Sequence, residues 1–307
     1  MELIKPGTNI DFVGKIKFAI GFSWTLIALG IISLIVRGGL NYGVDFAGGT
    51  VAQVRFTKRP PVDDIRGALN STGMVDATIQ DFGSSKSLPE GGADFLIRLP
   101  MAGTEAEDMG KRMVDALTGK FGKDTFDIQR IETVGPRVGS ELRVRALLAV
   151  LFSTILMGAY ISFRFEFRFG LGAAIALIHD VLITVGALSV MNYEFDLTIV
   201  AALLTVVGFS VHDTVIVSDR VRENMRKNRR DGLRKIINNS INETLSRTIL
   251  TTGTAVLVLL TLYLLGGSVI NGFAFALLIG FVIGTYSSIY VASPIVLFFE
   301  RPGARTR

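Results

Sequence analysis

The chain has 307 residues, 49% of them hydrophobic and 19% charged, with a mean hydropathy of +0.47 and a formal net charge of +5. Such a composition excludes an ordinary soluble domain and, because the apolar residues gather in long blocks, predicts a polytopic α-helical membrane protein. The absence of cysteine excludes disulfides, thiol chemistry and cysteine metal sites, and the positive charge calls for no nucleic acid, since it falls where membrane topology places basic residues.

Six apolar runs reach spanning length: 18–36, 146–163, 170–191, 197–218, 248–265 and 270–299, the last long enough to tilt or bend. The first run is too long for a signal-peptide core and has no A-x-A-like site near its end, so it reads as a span. Lys5, Lys15 and Lys17 precede it, Arg164 and Arg168 lie in the second turn of the bundle, and residues 220–246 hold eight Lys or Arg. Residues 192–196 and 266–269 hold none. The positive-inside rule then predicts both termini, 1–17 and 300–307, in the cytoplasm, a basic cytoplasmic loop at 219–246, and the segment 38–140 outside. The basic cluster at 226–235 also suits anionic membrane lipid.

Within 38–140 the pattern turns globular. Residues 50–57 alternate, with Ala52, Val54 and Phe56 on one side and Val51, Gln53 and Arg55 on the other. Pro61 opens a helical stretch that Gly73 can close. Residues 76–82 and 94–99 read as strands around a turn at Gly91 and Gly92. Thr104 and Glu107 form a capping box before a helix with Met109, Met113, Val114 and Leu117 on its apolar face. Residues 126–133 complete the order βαββαβ, which predicts a small ferredoxin-like α+β domain. Its 12 basic and 14 acidic residues leave it near neutral, so it is no trap for a polyanion. Neither histidine lies in it, and no G-x-S-x-G, HExxH or P-loop occurs in the chain.

The chemistry lies in the spans. Two His-Asp dipeptides, His179-Asp180 and His212-Asp213, fall inside apolar runs, and Arg247 opens another. Ionisable groups at membrane depth mark ion paths, proton relays or structural ion pairs. Adjacent helix residues point about 100° apart, so neither dipeptide is a ready-made metal site, whereas carboxylate and imidazole both change charge as burial shifts them. Helical rise puts Asp213 about 24 Å, Arg247 about 27 Å and Asp180 about 17 Å from the outer ends of their spans. Asp213 and Arg247 are therefore expected to face each other at one level, as a switch that pairs when ionised and releases when protonated; two snorkelling surface groups, or plain interhelical hydrogen bonds, are the structural alternatives. Thr251 and Thr254 share the Arg247 face at i+4 and i+7, where they would carry water or satisfy backbone carbonyls. Gly272, Ala276, Gly280, Gly284, Ser288 and Ala292 recur every fourth residue, the pattern of a close-packed helix seam.

Longer stretches carry a resemblance. NYGVDFAGGT at 41–50, with Gly43, Asp45, Gly48 and Gly49, and VGPRVG at 134–139, with Gly135, Pro136 and Gly139, are similar to motifs that flank the external loop in the SecD–SecF protein-export family. HDV at 179–181, residues 208–224, TLSRT at 244–248 and GTYSS at 284–288 resemble its membrane signatures. The family is related to the resistance-nodulation-division (RND) transporters, in which two six-span halves each carry an external loop after the first span. The resemblance therefore implies one RND-like half that works beside a SecD-like subunit. It also implies Asp213 and Arg247 on the proton path, an external domain that handles exported polypeptide, and a bacterial cytoplasmic membrane location. The SecYEG translocon is an expected partner, with SecA and YajC as further candidates. No cofactor or metal is expected; the coupling ion would be H⁺, with Na⁺ as the alternative. Half of an RND-type small-molecule exporter and a passive translocon scaffold remain open as other functions. An intramembrane enzyme is set aside for want of a nucleophile–base pair or metal-ligand spacing.

Overall fold

The computed structural model describes residues 9–75, 77–81, 92–100, 106–228 and 230–299. The capping residue Thr104, the turn glycine Gly91 and the two chain ends at 1–8 and 300–307 lie outside the described residues. A short 3-10 turn leads into α1 (Ile16–Arg37), which stops where Gly38 takes φ +74. There the Gly38 and Gly39 amides donate to the Ile35 and Leu34 carbonyls, a left-handed cap that glycine adopts without a Cβ penalty. The single turn α2 (Val44–Ala47) then delivers the chain to a four-stranded sheet.

That sheet comprises β1 (Gly49–Phe56), β2 (Thr78–Asp81), β3 (Ala93–Pro100) and β4 (Phe126–Val134), in the order β2-β3-β1-β4 with every pairing antiparallel. With α3 (Val62–Asn70) and α4 (Ala106–Phe121) as crossovers, this is the split-βαβ topology expected from the element order. The alternation of β1 decides which face is covered: Ala52, Val54 and Phe56 are buried against Ile65, Leu69, Met113 and Leu117 of the two helices. On the opposite face Arg55 forms a two-pronged pair with Asp94, at 2.8 and 2.9 Å. The strand expected at 76–82 is shorter, Thr78–Asp81 among the described residues.

Among the described residues six helices are long and apolar enough to cross a membrane. Besides α1 they are α5 (Pro136–Arg164), α6 (Phe167–Val190), α7 (Leu197–Lys227), α8 (Leu233–Leu265) and the composite of α9 (Ser268–Ser287), a π-helical turn (Ser288–Ala292) and α10 (Ser293–Phe298). The π turn sits just before Pro294, which has no N–H to give the preceding turn and whose ring crowds the carbonyl four residues back. Half or more of the most apolar window of α6, α7 and α9 is buried, against 17% in α1, α5 and α8. The first three are the centre of the bundle, and the others turn broad apolar faces outward.

Several helices outrun their apolar stretches, so the basic segment at 219–246 is not an extended loop. It is the polar end of α7 and the polar start of α8, joined through residues 228–232. Hydropathy stops where lipid would stop, but the helix continues because ion pairs at helical spacing and a cross-helix pair support it. Lys227 bonds Glu223, Lys235 bonds Asp231, and Arg220 bridges to Glu243 of α8. The α5 helix likewise starts ten residues before its apolar run, with Pro136 in its first turn and Gly135 as its N-cap.

Candidate functional site

The glycine motif at 41–50 and the VGPRVG motif at 134–139 meet at the end of the bundle that carries the α+β domain. The Gly43 amide donates to the Phe195 carbonyl at 3.0 Å, and the Phe195 amide donates to Asn41 at 2.7 Å. Gly48 and Gly49 take φ of +82 and +144, and a Cβ on Gly49 would lie 2.2 Å from the Leu99 carbonyl oxygen. Gly139 lets α5 approach the Phe46 carbonyl, where a Cβ would sit at 2.9 Å; the same oxygen accepts from Arg143 at 2.7 Å. Asp45 accepts from the Leu197 amide at 3.0 Å and Asp196 from Ile199 at 2.8 Å. Two carboxylates from separate segments thus cap the first turn of α7. Burial pushes the carboxyl groups of Glu194 and Asp196 above the usual carboxylate range. Glu194 lies 3.1 Å from Arg98 of β3, and both line a cavity of about 500 Å³. The family motifs are therefore a joint: they fasten the α+β domain to α5 and α7.

The helix α7, so anchored, carries Asp213 into the bundle. Its side chain is fully buried. One oxygen accepts from Thr285 of α9 at 2.9 Å and Thr252 of α8 at 3.3 Å. Among the described residues the other has no hydrogen-bond partner, and His212 Nδ1 stands 3.7 Å from it. Thr248 of α8, one turn before Thr252, has a buried hydroxyl that is likewise unpartnered.

The expected pair between Asp213 and Arg247 is not formed. Asp213 meets α8 at Thr252, five residues beyond Arg247 and therefore about 7.5 Å along the axis. Asp213 lies 16 residues from Leu197 at the start of α7 and Thr252 13 from Leu265 at the end of α8, so the two helix ends are offset by about 4.5 Å. Arg247 instead lines a polar cavity of about 630 Å³ between α5, α7 and α8, with Tyr160, Arg164, Asp219 and Glu243. Of the two roles open to the threonine face, the hydroxyls take the backbone one. Thr251 and Thr254 return their hydroxyls to their own helix, at the Arg247 and Thr251 carbonyls. The hydroxyls turned inward are Thr244, Thr248 and Thr252, a stripe at i+4 spacing.

Asp180 is also fully buried. One oxygen accepts from Ser210 of α7 at 2.6 Å and Ser287 of α9 at 2.8 Å; the other is 2.9 Å from His179 Nδ1. Adjacent side chains thus do meet, because imidazole and carboxylate lean together from their diverging Cα–Cβ bonds. Ser23 of α1 lies 3.0 Å from His179 Nε2, and Tyr286 of α9 lies 3.0 Å from Ser23. The sequence offered no sign of Ser23 or Tyr286, which lie 156 and 107 residues from His179, nor of a hydroxyl beside its imidazole. A Ser-His-Asp contact is consequently present, but Ser23 sits in mid-helix where the backbone N–H groups are committed. A carboxylate, an imidazole and two hydroxyls in one hydrogen-bonded row are groups that hold and pass protons.

The small-residue seam explains how α9 brings its hydroxyls so close. A Cβ on Gly280 would lie 2.1 Å from Val206 Cγ2, and one on Gly284 would lie 3.0 Å from Ser210 Cβ. Ala276 is fully buried, Ser288 contacts Thr214 at 2.9 Å, and a Cβ on Gly272 would lie 3.3 Å from the Tyr193 ring. Ala292 turns to α6, where its carbonyl would meet a Cβ on Gly172 at 2.9 Å.

Comparison with known proteins joins these features. Residues 113–302 match the family described as "Protein export membrane protein SecD/SecF, C-terminal", and residues 32–58 match the "SecD/SecF GG Motif". The protein translocase subunit SecF of Magnetococcus marinus is 46% identical, covering 100% of this chain and 97% of that one. The SecF of Vibrio alginolyticus is 44% identical, covering 96% and 91%. Among solved structures, the translocon-associated membrane protein SecDF of Thermus thermophilus superposes with a TM-score of 0.80 at 36% identity, covering 98% of this chain. A SecDF structure in the "Super-membrane-facing form" gives 0.70. This chain spans 40% of the length of those SecDF chains. A glycine joint, a six-helix bundle and 44–46% identity to SecF chains over nearly the full length agree, and the chain belongs to the SecD/SecF family of protein-export membrane proteins.

Proposed function

We propose that the chain is an accessory subunit of the Sec protein-export machinery which, with a SecD-like partner, uses the proton gradient to assist polypeptide movement on the outer side of a bacterial cytoplasmic membrane. Both termini face the cytoplasm and the α+β domain stands outside. The SecYEG translocon is the neighbour this role requires, with SecA and YajC as further partners. Near full-length similarity to SecF chains supports the export role. One observation supports the coupling: the Asp213 carboxylate is fully buried, and only one of its oxygens is held by hydroxyls. An ionised carboxylate so placed is costly and a protonated one is not, so helix packing around it depends on its proton.

Asp213 takes up a proton from the outer side and gives it up toward the polar cavity that holds Arg247. Thr252 and Thr285 lie on different helices, so a change of charge at Asp213 alters how α8 and α9 pack on α7. The joint at Asp45, Asp196 and Arg98 passes that movement to the α+β domain. One charge crossing 100 mV supplies about 2.3 kcal/mol, enough to bias a two-state equilibrium about fiftyfold. H⁺ is the coupling ion of this reading.

The test replaces Asp213→Asn, which keeps the shape and removes the proton. Export of a secreted reporter is followed with and without an uncoupler, and assembly with the SecD-like subunit is checked. Loss of the uncoupler-sensitive part of export is expected; if that part persists in an assembled variant, the subunit is a passive scaffold.

A further inference from the structure

The polarity of one hydrogen-bond chain fixes a proton count away from Asp213. The Tyr286 hydroxyl lies 2.5 Å from the Ala19 carbonyl oxygen. A carbonyl only accepts, so the single phenolic hydrogen is committed there. Ser23 Oγ is 3.0 Å from the Tyr286 oxygen, and that bond needs a hydrogen that only Ser23 can supply. Ser23 then has none left for His179 Nε2, also 3.0 Å away, so Nε2 carries a hydrogen and donates it. The 2.9 Å contact between His179 Nδ1 and Asp180 Oδ1 needs one hydrogen more. It sits on Nδ1, as imidazolium beside carboxylate, or on Oδ1, as neutral imidazole beside carboxylic acid. The two forms differ by a shift of that proton along one bond. Both have the same proton count and no net charge, which suits a pair this deeply buried.

We propose that His179 and Asp180 form a proton site separate from Asp213, loaded with one exchangeable proton in this conformation, and that Ser23 and Tyr286 are the positioning residues that keep it loaded. The proton count stands on the geometry; its use in export rests on the function proposed above. When the shared proton leaves to water, the lone pair of Nδ1 faces an anionic oxygen. Relief comes if the Nε2 hydrogen leaves while another is taken on at Nδ1. Ser23 then turns its own hydrogen to Nε2, and the bond from Ser23 to Tyr286 is lost. Discharge therefore loosens α1 from α9.

The groups facing the pair are few. From α1 come Ser23 and the Ala19 carbonyl; from α7 come Ser210 and, one turn on, Asp213; from α9 come Ser287 and Tyr286, with the tilted ring of Tyr290, in the π turn, 5.2 Å beyond. Among the described residues no Lys or Arg forms an ion pair with Asp180, so its charge is answered by His179 alone.

The experiment uses the chain assembled with its SecD-like partner in lipid vesicles, with ¹⁵N-labelled histidine. There are two histidines, and the exposed His212 serves as an internal reference. In the wild-type chain the Nε2 of His179 is expected to be protonated. The midpoint at which the site loses its proton is expected to fall by about 1 pH unit in Tyr286→Phe and in Ser23→Ala, and Ser23→Thr is expected to hold the wild-type midpoint. A bare Nε2 in the wild-type chain overturns the proposal, and so does a midpoint that neither Tyr286→Phe nor Ser23→Ala moves. Should a variant fail to assemble, the wild-type protonation state alone decides. The readout is spectroscopic, so it is independent of the export result for Asp213→Asn.

Discussion

Adding one methyl group at Gly280 should separate α9 from α7, two of the three central helices of the bundle. In Gly280→Ala the new Cβ would lie 2.1 Å from Val206 Cγ2, 2.7 Å from Cγ1 and 3.0 Å from Cβ. Rotating Val206 brings little relief, because its own Cβ is among the clashing atoms and a β-branched side chain in a helix has one strongly preferred rotamer. The helices must part instead, and overpacking of this kind costs about 1–3 kcal/mol. Parting α9 from α7 also lengthens the bond from Thr285 to Asp213, now 2.9 Å, which ties stability to the setting of that buried carboxylate. Helix content followed through a denaturing detergent titration measures the loss. Val206→Ala removes both Cγ atoms, so the double variant should recover part of it, with a coupling of about 1 kcal/mol or more. A neutral Gly280→Ala, or a second substitution that merely adds its own penalty, would refute the close-packed seam.

The glycine joint and the Arg98–Glu194 pair give two further tests. Gly49→Ala places a Cβ 2.2 Å from a backbone oxygen at φ +144, and should cost roughly 3 kcal/mol or abolish assembly; limited proteolysis of the α+β domain is the assay. Glu194 has a folded-state pKa raised by burial, so it binds protons more readily folded than unfolded. Its contribution to stability is then fully present below its unfolded value and is lost as pH rises through the folded one. Glu194→Gln should flatten the pH dependence of thermal unfolding in that window; an unchanged slope would mean that Glu194 is not the titrating group.

How much of this was legible beforehand follows from the range of each signal. Hydrophobic periodicity is local, so six spans and the βαββαβ order could be read from the chain, down to which side of β1 carries Ala52, Val54 and Phe56. The helical continuation of α7 and α8 through residues 219–246 was not legible there, because hydropathy marks the lipid boundary and the helix ends elsewhere. Asp180, Asp213 and His179 were marked by polarity in apolar surroundings, a signal that needs no partner to be visible.

Composition and pattern determined a set of spanning helices with acids inside them and a small α+β domain, because both depend on residues close together in the chain. Only the tertiary structure decided whom those acids meet. Thr285 reaches Asp213 across 72 residues, and Ser23 reaches His179 across 156. Whether two such side chains touch depends on the rotation and axial offset of packed helices. Those are set by contacts such as Gly280 on Val206, where one missing methyl fixes the spacing, and no stretch of either helix alone specifies them.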